Sequence, residues 1–213
     1  MIPSRSRAAL DELVRRDPDL AGIERDAGPL PWRSRAAGFP GLLQAIMGQQ
    51  ISNQAAAAIW RRLAALPGAL TPAGLLALDD AALRGAGLSR PKVEHSRALA
   101  TAFLNGSLST EGLALMDDEA AVAAMSAVRG LGRWTAEVYL LFALAREDVF
   151  PAGDLALAAA VADLKRLPER PNPAALRAIA AAWAPHRALA ARLLWHHWRF
   201  RTGRPTMDDP APV

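Results

Sequence analysis

Two groups of residues in this chain have types and spacing suited to chemistry. The first is Gly130-Leu131-Gly132-Arg133, a Gly-x-Gly turn between two apolar-periodic stretches. With no Cβ in the way, the backbone N–H groups of Gly130, Gly132 and Arg133 can approach a phosphate. The helix that follows adds the positive end of its dipole. Arg129 and Arg133 flank the turn and supply charge. Contacts of this kind grip a nucleic-acid backbone without reading its sequence. A plain helix–helix connector has the same composition, so the turn alone leaves both readings open. The second is Asp154, in Phe150-Pro151-Ala152-Gly153-Asp154, just past the second apolar stretch. A carboxylate at a helix start is an N-cap, and one held that way is oriented and ionised. It can then face positive charge developing on a sugar, or orient and deprotonate a water. The two roles are compatible. Asp79, Asp148 and Asp163 lack such a context and read as caps or surface.

The elements that must position these residues are helices. Of 213 residues, 52 % are hydrophobic and 22 % charged, enough to bury a sizeable core. Ala and Leu dominate and β-branched and aromatic residues are sparse, which predicts an all-α fold. Helical periodicity runs over Ser6–Arg16, then from Phe39 to about Leu66 as one long helix stopped by Pro67-Gly68. Shorter helices start at Thr71-Pro72, Asp79-Asp80 and Ser89-Arg90-Pro91, near Glu111, at Asp117 and at Trp134. Beyond Asp154, helices are expected near 155–167, 174–183 and 187–200. The Pro-rich residues 204–213 read as a disordered tail.

The absence of cysteine excludes disulfides, zinc–thiolate sites and iron–sulfur clusters. The net charge of +4 and pI near 10.5 permit nucleic-acid binding without showing it. The basic residues are nearly all arginine, whose planar fork suits phosphate; lysine occurs only at Lys92 and Lys165. His196 and His197 are adjacent and point to different helix faces, so they do not read as a metal pair. No apolar run reaches membrane-span length, and the N-terminus lacks the apolar core of a signal peptide. A cytoplasmic protein is expected.

Val128-Arg129-Gly130-Leu131-Gly132-Arg133-Trp134-Thr135-Ala136 resembles the hairpin of the helix-hairpin-helix DNA glycosylases, in particular the bacterial 3-methyladenine DNA glycosylase II group, which reads Gly-Ile-Gly-Arg-Trp-Thr-Ala. Three further segments agree in order. Gly48-Gln49-Gln50-Ile51-Ser52 is similar to the family's Gly-Gln-Gln-Ile-Ser helix. Gly87-Leu88-Ser89 with Lys92 is similar to its Gly-Leu-Ser-x-x-Lys turn. Trp183-Ala184-Pro185-His186-Arg187 through Trp195 is similar to its C-terminal helix. The family usually has Pro where this chain has Arg129.

The resemblance implies a two-lobed helix-hairpin-helix glycosylase fold with its active site in the cleft between lobes. One lobe would hold residues 1–38 and 151–203, and the other residues 39–150 with the hairpin at 128–134. The resemblance would be to the short form, without an N-terminal β-rich domain. The partner would be double-stranded DNA containing damaged bases, met by a monomer. Asp154 matches the catalytic aspartate. In bifunctional relatives resembling endonuclease III, a lysine two residues after the second hairpin glycine attacks the sugar. Trp134 stands there instead, which implies hydrolysis without strand cleavage. No cofactor is required, although some relatives hold a monovalent cation on hairpin carbonyls, here near Ser126, Val128 and Leu131.

Such an enzyme must flip its base out of the duplex, at about a few kcal/mol. Gln50 or Ile51 is the candidate wedge that fills the gap, and Gln49, Ser89, Lys92 and Thr135 are further DNA-side candidates. Purines alkylated at N3 or N7 are cationic, leave readily and are attracted to aromatic faces by roughly 0.5–2 kcal/mol. Trp134 is the expected platform, with Val138, Leu155 and His186 completing the base pocket. Two other readings stay open: a glycosylase for hypoxanthine, uracil or oxidised guanine, and a non-catalytic module that binds damaged DNA.

Overall fold

The computed structural model describes residues 2–204 and is all-α, with thirteen α-helices and no strand among those residues. They are α1 (Ser4–Arg16), α2 (Ile23–Ala27), α3 (Gly38–Gly48), α4 (Asn53–Ala64), α5 (Pro72–Ala77), α6 (Asp80–Gly85) and α7 (Arg90–Leu104). There follow α8 (Thr110–Leu115), α9 (Asp118–Ser126), α10 (Arg133–Phe142), α11 (Leu155–Leu164), α12 (Pro173–Ala180) and α13 (Arg187–Thr202). Capping side chains fix most starts. Ser52, Thr71, Asp79, Ser109 and Asp117 each accept a hydrogen bond from the backbone N–H three residues on. Proline occupies the first position of α5 and α12, where its missing N–H costs nothing. The expected tail lies outside the described residues from 205 onward.

One expectation is overturned. The long helix from Phe39 to Leu66 is two helices, α3 and α4, broken at 49–52. Gln49 is extended, Gln50 adopts the left-handed φ of 59°, and Ser52 starts α4 afresh by capping Ala55 N. Periodicity carried across the break because Ile46, Ile59 and Leu63 keep helical spacing through it.

The described residues divide into two units, residues 35–144 and residues 2–34 with 145–204. The boundaries fall at 34/35 and 144/145, not at 38/39 and 150/151. Arg35 N donates to Phe142 O at 2.9 Å, which attaches residue 35 to the end of α10.

In the 35–144 unit, α7 packs against α3, α5 and α6, with Leu42, Leu43, Ile46, Leu75, Leu83 and Leu99 fully buried. Tyr139 on α10 accepts a hydrogen bond from Gly38 N at 2.7 Å, fixing the start of α3 against α10. In the other unit, α13 packs on α1, α2 and α11. Its polar centre is Asp17, which accepts from Trp183 Nε1 at 2.7 Å and from Lys165 Nζ at 2.9 Å.

Candidate nucleic-acid interface and active site

Asp154 is placed by a tightly held segment. Arg187 grips Asp148 with two hydrogen bonds of 2.8 Å, and Ala188 N donates to Glu147 O, so residues 147–148 are tied to the start of α13. Val149, Phe150 and Ala152 are buried, and the Phe150 ring packs on Trp183. The chain then turns through Asp154 N to Pro151 O at 2.9 Å. Asp154 Oδ1 accepts from Ala156 N at 2.8 Å and Leu157 N at 3.0 Å, capping α11. The carboxylate is therefore half-buried and oriented by two backbone donors at the positive end of a ten-residue helix. Leu155 beside it is 77 % exposed.

The hairpin joins α9 to α10. Val128 N donates to Met125 O and Leu131 N to Val128 O, closing two successive turns. Its glycines differ in kind. Gly130 has φ +94°, and a Cβ there would fall 2.3 Å from the His95 ring, so the fold itself demands glycine. Gly132 is extended, at φ −84°, and a Cβ on it would meet nothing within 4 Å. Neither conformation nor packing requires glycine at 132. The backbone at 132 is thus open to solvent at the N-terminus of α10.

Arg129 and Arg133 are exposed and both are ion-paired. Arg129 bonds Glu94 at 2.9 Å; Arg133 bonds the buried Glu137 at 2.8 Å and the exposed Glu119 at 2.5 Å. Ser126 is exposed, Val128 is half-buried and Leu131 buried, with Val128 O accepting from Leu131 N.

The turn at 49–52 stands beside the hairpin. Gln49 Nε2 donates to Gly130 O at 2.9 Å and to Thr135 Oγ1 at 3.3 Å. Gln50 and Ile51 are exposed at its tip. Lys92 does not present its charge outward. It is 8 % exposed, and Nζ donates to the carbonyls of Ile46, Met47 and Gln49 at 2.6, 2.8 and 3.1 Å. Burial pushes its pKa below the usual lysine value. Ser89 is exposed at the start of α7 and its hydroxyl makes no capping bond.

Trp134, 45 % exposed, and the buried Thr135 and Val138 line one side of a cavity of about 170 Å³. That is far more than one water requires, roughly 10–15 Å³. Gln44, Asn53 and Arg35 face the same space. Their spacing gave no sign of it, because Arg35 lies outside any helix and Gln44 and Asn53 flank the break in the helix. His186 lies in the other unit, ahead of α13, with Nε2 3.2 Å from Glu12 Oε2. That bond and nearby Arg16 hold the Glu12 carboxyl below its ordinary pKa. His197 pairs with Asp163 and His196 with Gly28 O, and no metal-binding cluster occurs among the described residues.

The family model described as "HhH-GPD superfamily base excision DNA repair protein" matches residues 43–186. The chain belongs to the HhH-GPD superfamily. A curated relative, DNA-3-methyladenine glycosylase 1 of Schizosaccharomyces pombe, is 30 % identical over 192 residues, covering 88 % of this chain and 83 % of its own. The solved structure of a 3-methyladenine DNA glycosylase from Schizosaccharomyces pombe in complex with abasic DNA superposes with a TM-score of 0.79 at 27 % identity, covering 95 % of this chain and all of that one. A DNA-3-methyladenine glycosidase from Bacillus halodurans gives 0.81 at 29 % identity, with 92 % and 91 % covered. The matched residues include α9, the turn that joins it to α10, α10 itself and Asp154 at the start of α11.

Proposed function

We propose that this chain is a monofunctional DNA glycosylase that hydrolyses the N-glycosidic bond of alkylated purines of the 3-methyladenine and 7-methylguanine type in base excision repair. The observation that carries the reading is what stands where a nucleophilic amine would be. Trp134 occupies the position after the hairpin, and both lysines of the chain are engaged elsewhere. Lys165 Nζ is bound to both oxygens of Asp17 and to Asp19. Lys92, though its pKa is lowered, directs its three donors at three carbonyls. With no amine to form a Schiff base, water is the attacking group.

The chemistry suits the residues available. A purine alkylated at N3 or N7 is cationic, so the C1′–N bond breaks with its electron pair leaving on the base, which departs neutral. No strong acid is needed. The sugar gains oxocarbenium character, which the ionised Asp154 stabilises. Water adds to C1′ and its proton passes to Asp154. The exposed indole of Trp134 offers a cation-attracting face to the flipped base, and Val138 beneath it is apolar. Gly132 admits a phosphate to the α10 N-terminus. The carbonyls of Ser126, Val128 and Leu131 would hold a monovalent cation there, each being a hard oxygen with two acceptor lone pairs. That cation would supply positive charge to the same phosphate.

Asp154→Asn is the decisive variant. Its side chain can still cap α11, so the fold should persist, while release of 3-methyladenine from duplex DNA should fall by about 10²-fold or more. Undiminished release would remove Asp154 from the mechanism. If the parent released no base from duplexes carrying 3-methyladenine, 7-methylguanine or hypoxanthine yet bound them, the chain would be a damage-binding module. We further infer a monomer acting in the cytoplasm, and no helix of the described residues is long and apolar enough to cross a membrane.

A further inference from the structure

The tip between α3 and α4 is held in a conformation it would not adopt alone. Gln50 carries a Cβ at φ 59°, in the region where L-residues are disfavoured. It and Ile51 are exposed, so their own side chains do not anchor them. The anchoring comes from two neighbours. Lys92 Nζ reaches across from α7 to the carbonyls of Ile46 and Met47, in the last turn of α3, and to that of Gln49 just beyond. The last carbonyls of a helix lack the usual partner four residues on, although Ile46 O also accepts from Gln49 N at 3.3 Å, and a cation is favoured at that end of the dipole. Gln49 then turns its amide to Gly130 O and Thr135 Oγ1, one in the hairpin and one in α10. Ser52 closes the other side by capping α4.

We propose that Lys92 and Gln49 form a latch that holds the Gln50–Ile51 tip in fixed register with the Gly130–Arg133 hairpin, making Lys92 a positioning residue for base eviction. The proposal rests on the chain being a base-flipping glycosylase. A wedge evicts a base only if it does not yield while the hairpin grips the backbone. The latch makes one stiff piece of the two loops through a single amide and a single ammonium. Lysine suits the role because one small group offers three donors to converging carbonyls.

The test compares Lys92→Met and Gln49→Leu with the parent. Single-turnover release of 3-methyladenine from duplex DNA should fall by about 10²-fold, as expected for a misplaced positioning element. Release of the same base from a single-stranded oligonucleotide, where no eviction is needed, should change little, and so should affinity for undamaged duplex. Equal losses on both substrates, or no loss on either, would overturn the latch. Hydrogen exchange in DNA-free protein gives a readout independent of activity. Amides at 49–53 and 130–136 should exchange faster in both variants, and unchanged exchange would overturn the latch whatever the chain's activity. If the parent released no base at all, the proposed function would fall while this exchange arm still decided the latch. Should Lys92→Met fail to fold, Gln49→Leu at its partly exposed site carries both arms. Borohydride trapping of a covalent DNA adduct that Lys92→Met abolishes would make Lys92 a nucleophile instead and sink the positioning role.

Discussion

Arg133 enters α10 with its guanidinium already shared between two carboxylates of different standing. Glu137 is 5 % exposed and bonds Nε, whereas Glu119 is 75 % exposed and bonds Nη2. A surface pair of the second kind is worth about 0–1 kcal/mol, so an arriving phosphate can displace Glu119 while Glu137 keeps the side chain aimed. Arg133→Ala should therefore weaken binding to undamaged duplex evenly across sequences and lower the salt slope by about one. Glu119→Gln should tighten binding at low salt. Anisotropy titrations at several salt concentrations check both, and a base-specific effect of Arg133→Ala would refute the phosphate role. The arginines flanking the turn could be picked out from the sequence as charge beside glycine, and Asp154 as a cap at a helix start. The inward roles of Lys92 and Gln49 could not. Their partners are backbone carbonyls and a hydroxyl far along the chain, and no residue pattern marks a carbonyl as needing a donor.

At the scale of elements, the hairpin separates a glycine required by folding from one that folding does not require. Gly130→Ala would force a Cβ into the His95 ring at positive φ, costing about 1–2 kcal/mol for the backbone alone. It should lower the melting temperature of the protein. Gly132→Ala has open space and an ordinary φ, so the melting temperature should barely move. Duplex affinity should drop by about 1 kcal/mol or more as a backbone contact is lost. Equal binding by Gly132→Ala and the parent would mean that no phosphate approaches there. Helix starts were legible wherever a short polar side chain or proline preceded an apolar stretch, as at Thr71-Pro72 and Asn172-Pro173. The break at 49–52 was not. Gln49, Gln50 and Ile51 carry no breaker signal, and the Gly48 and Ser52 that flank them sit inside a stretch of continuous helical spacing. The lysine from α7 that meets the end carbonyls of α3 is a tertiary contact that no local propensity announces.

Among the described residues, those before 35 and from 145 to 204 make one unit although about half of the sequence separates them. Arg16 bonds Ala184 O, Arg192 bonds Arg33 O and packs over Trp32, and His196 meets Gly28 O. The most buried of these long-range ties is Asp17 with Lys165 and Trp183. Burial alone would raise the Asp17 pKa, but the hydrogen bonds from Lys165 and Trp183 outweigh it and hold the carboxyl below its ordinary value. A carboxyl whose folded pKa is depressed contributes stability that is present above its unfolded pKa, about 3.9, and is lost as pH falls through the folded value. Lys165 is pushed down by its own desolvation but held above the usual lysine value by the carboxylates of Asp17 and Asp19, so it contributes at all pH below its unfolded pKa, about 10.4, and loses that contribution only beyond. Stability from this pair should therefore be flat from about pH 5 to 9 and decline on the acid side below about 4. Asp17→Asn should remove about 1–3 kcal/mol at neutral pH and flatten the acid decline. Urea unfolding at pH 3, 5 and 7 measures both. A variant that lost stability equally at pH 3 and pH 7 would show that packing of Trp183, and not the charge of Asp17, joins the two ends of the chain.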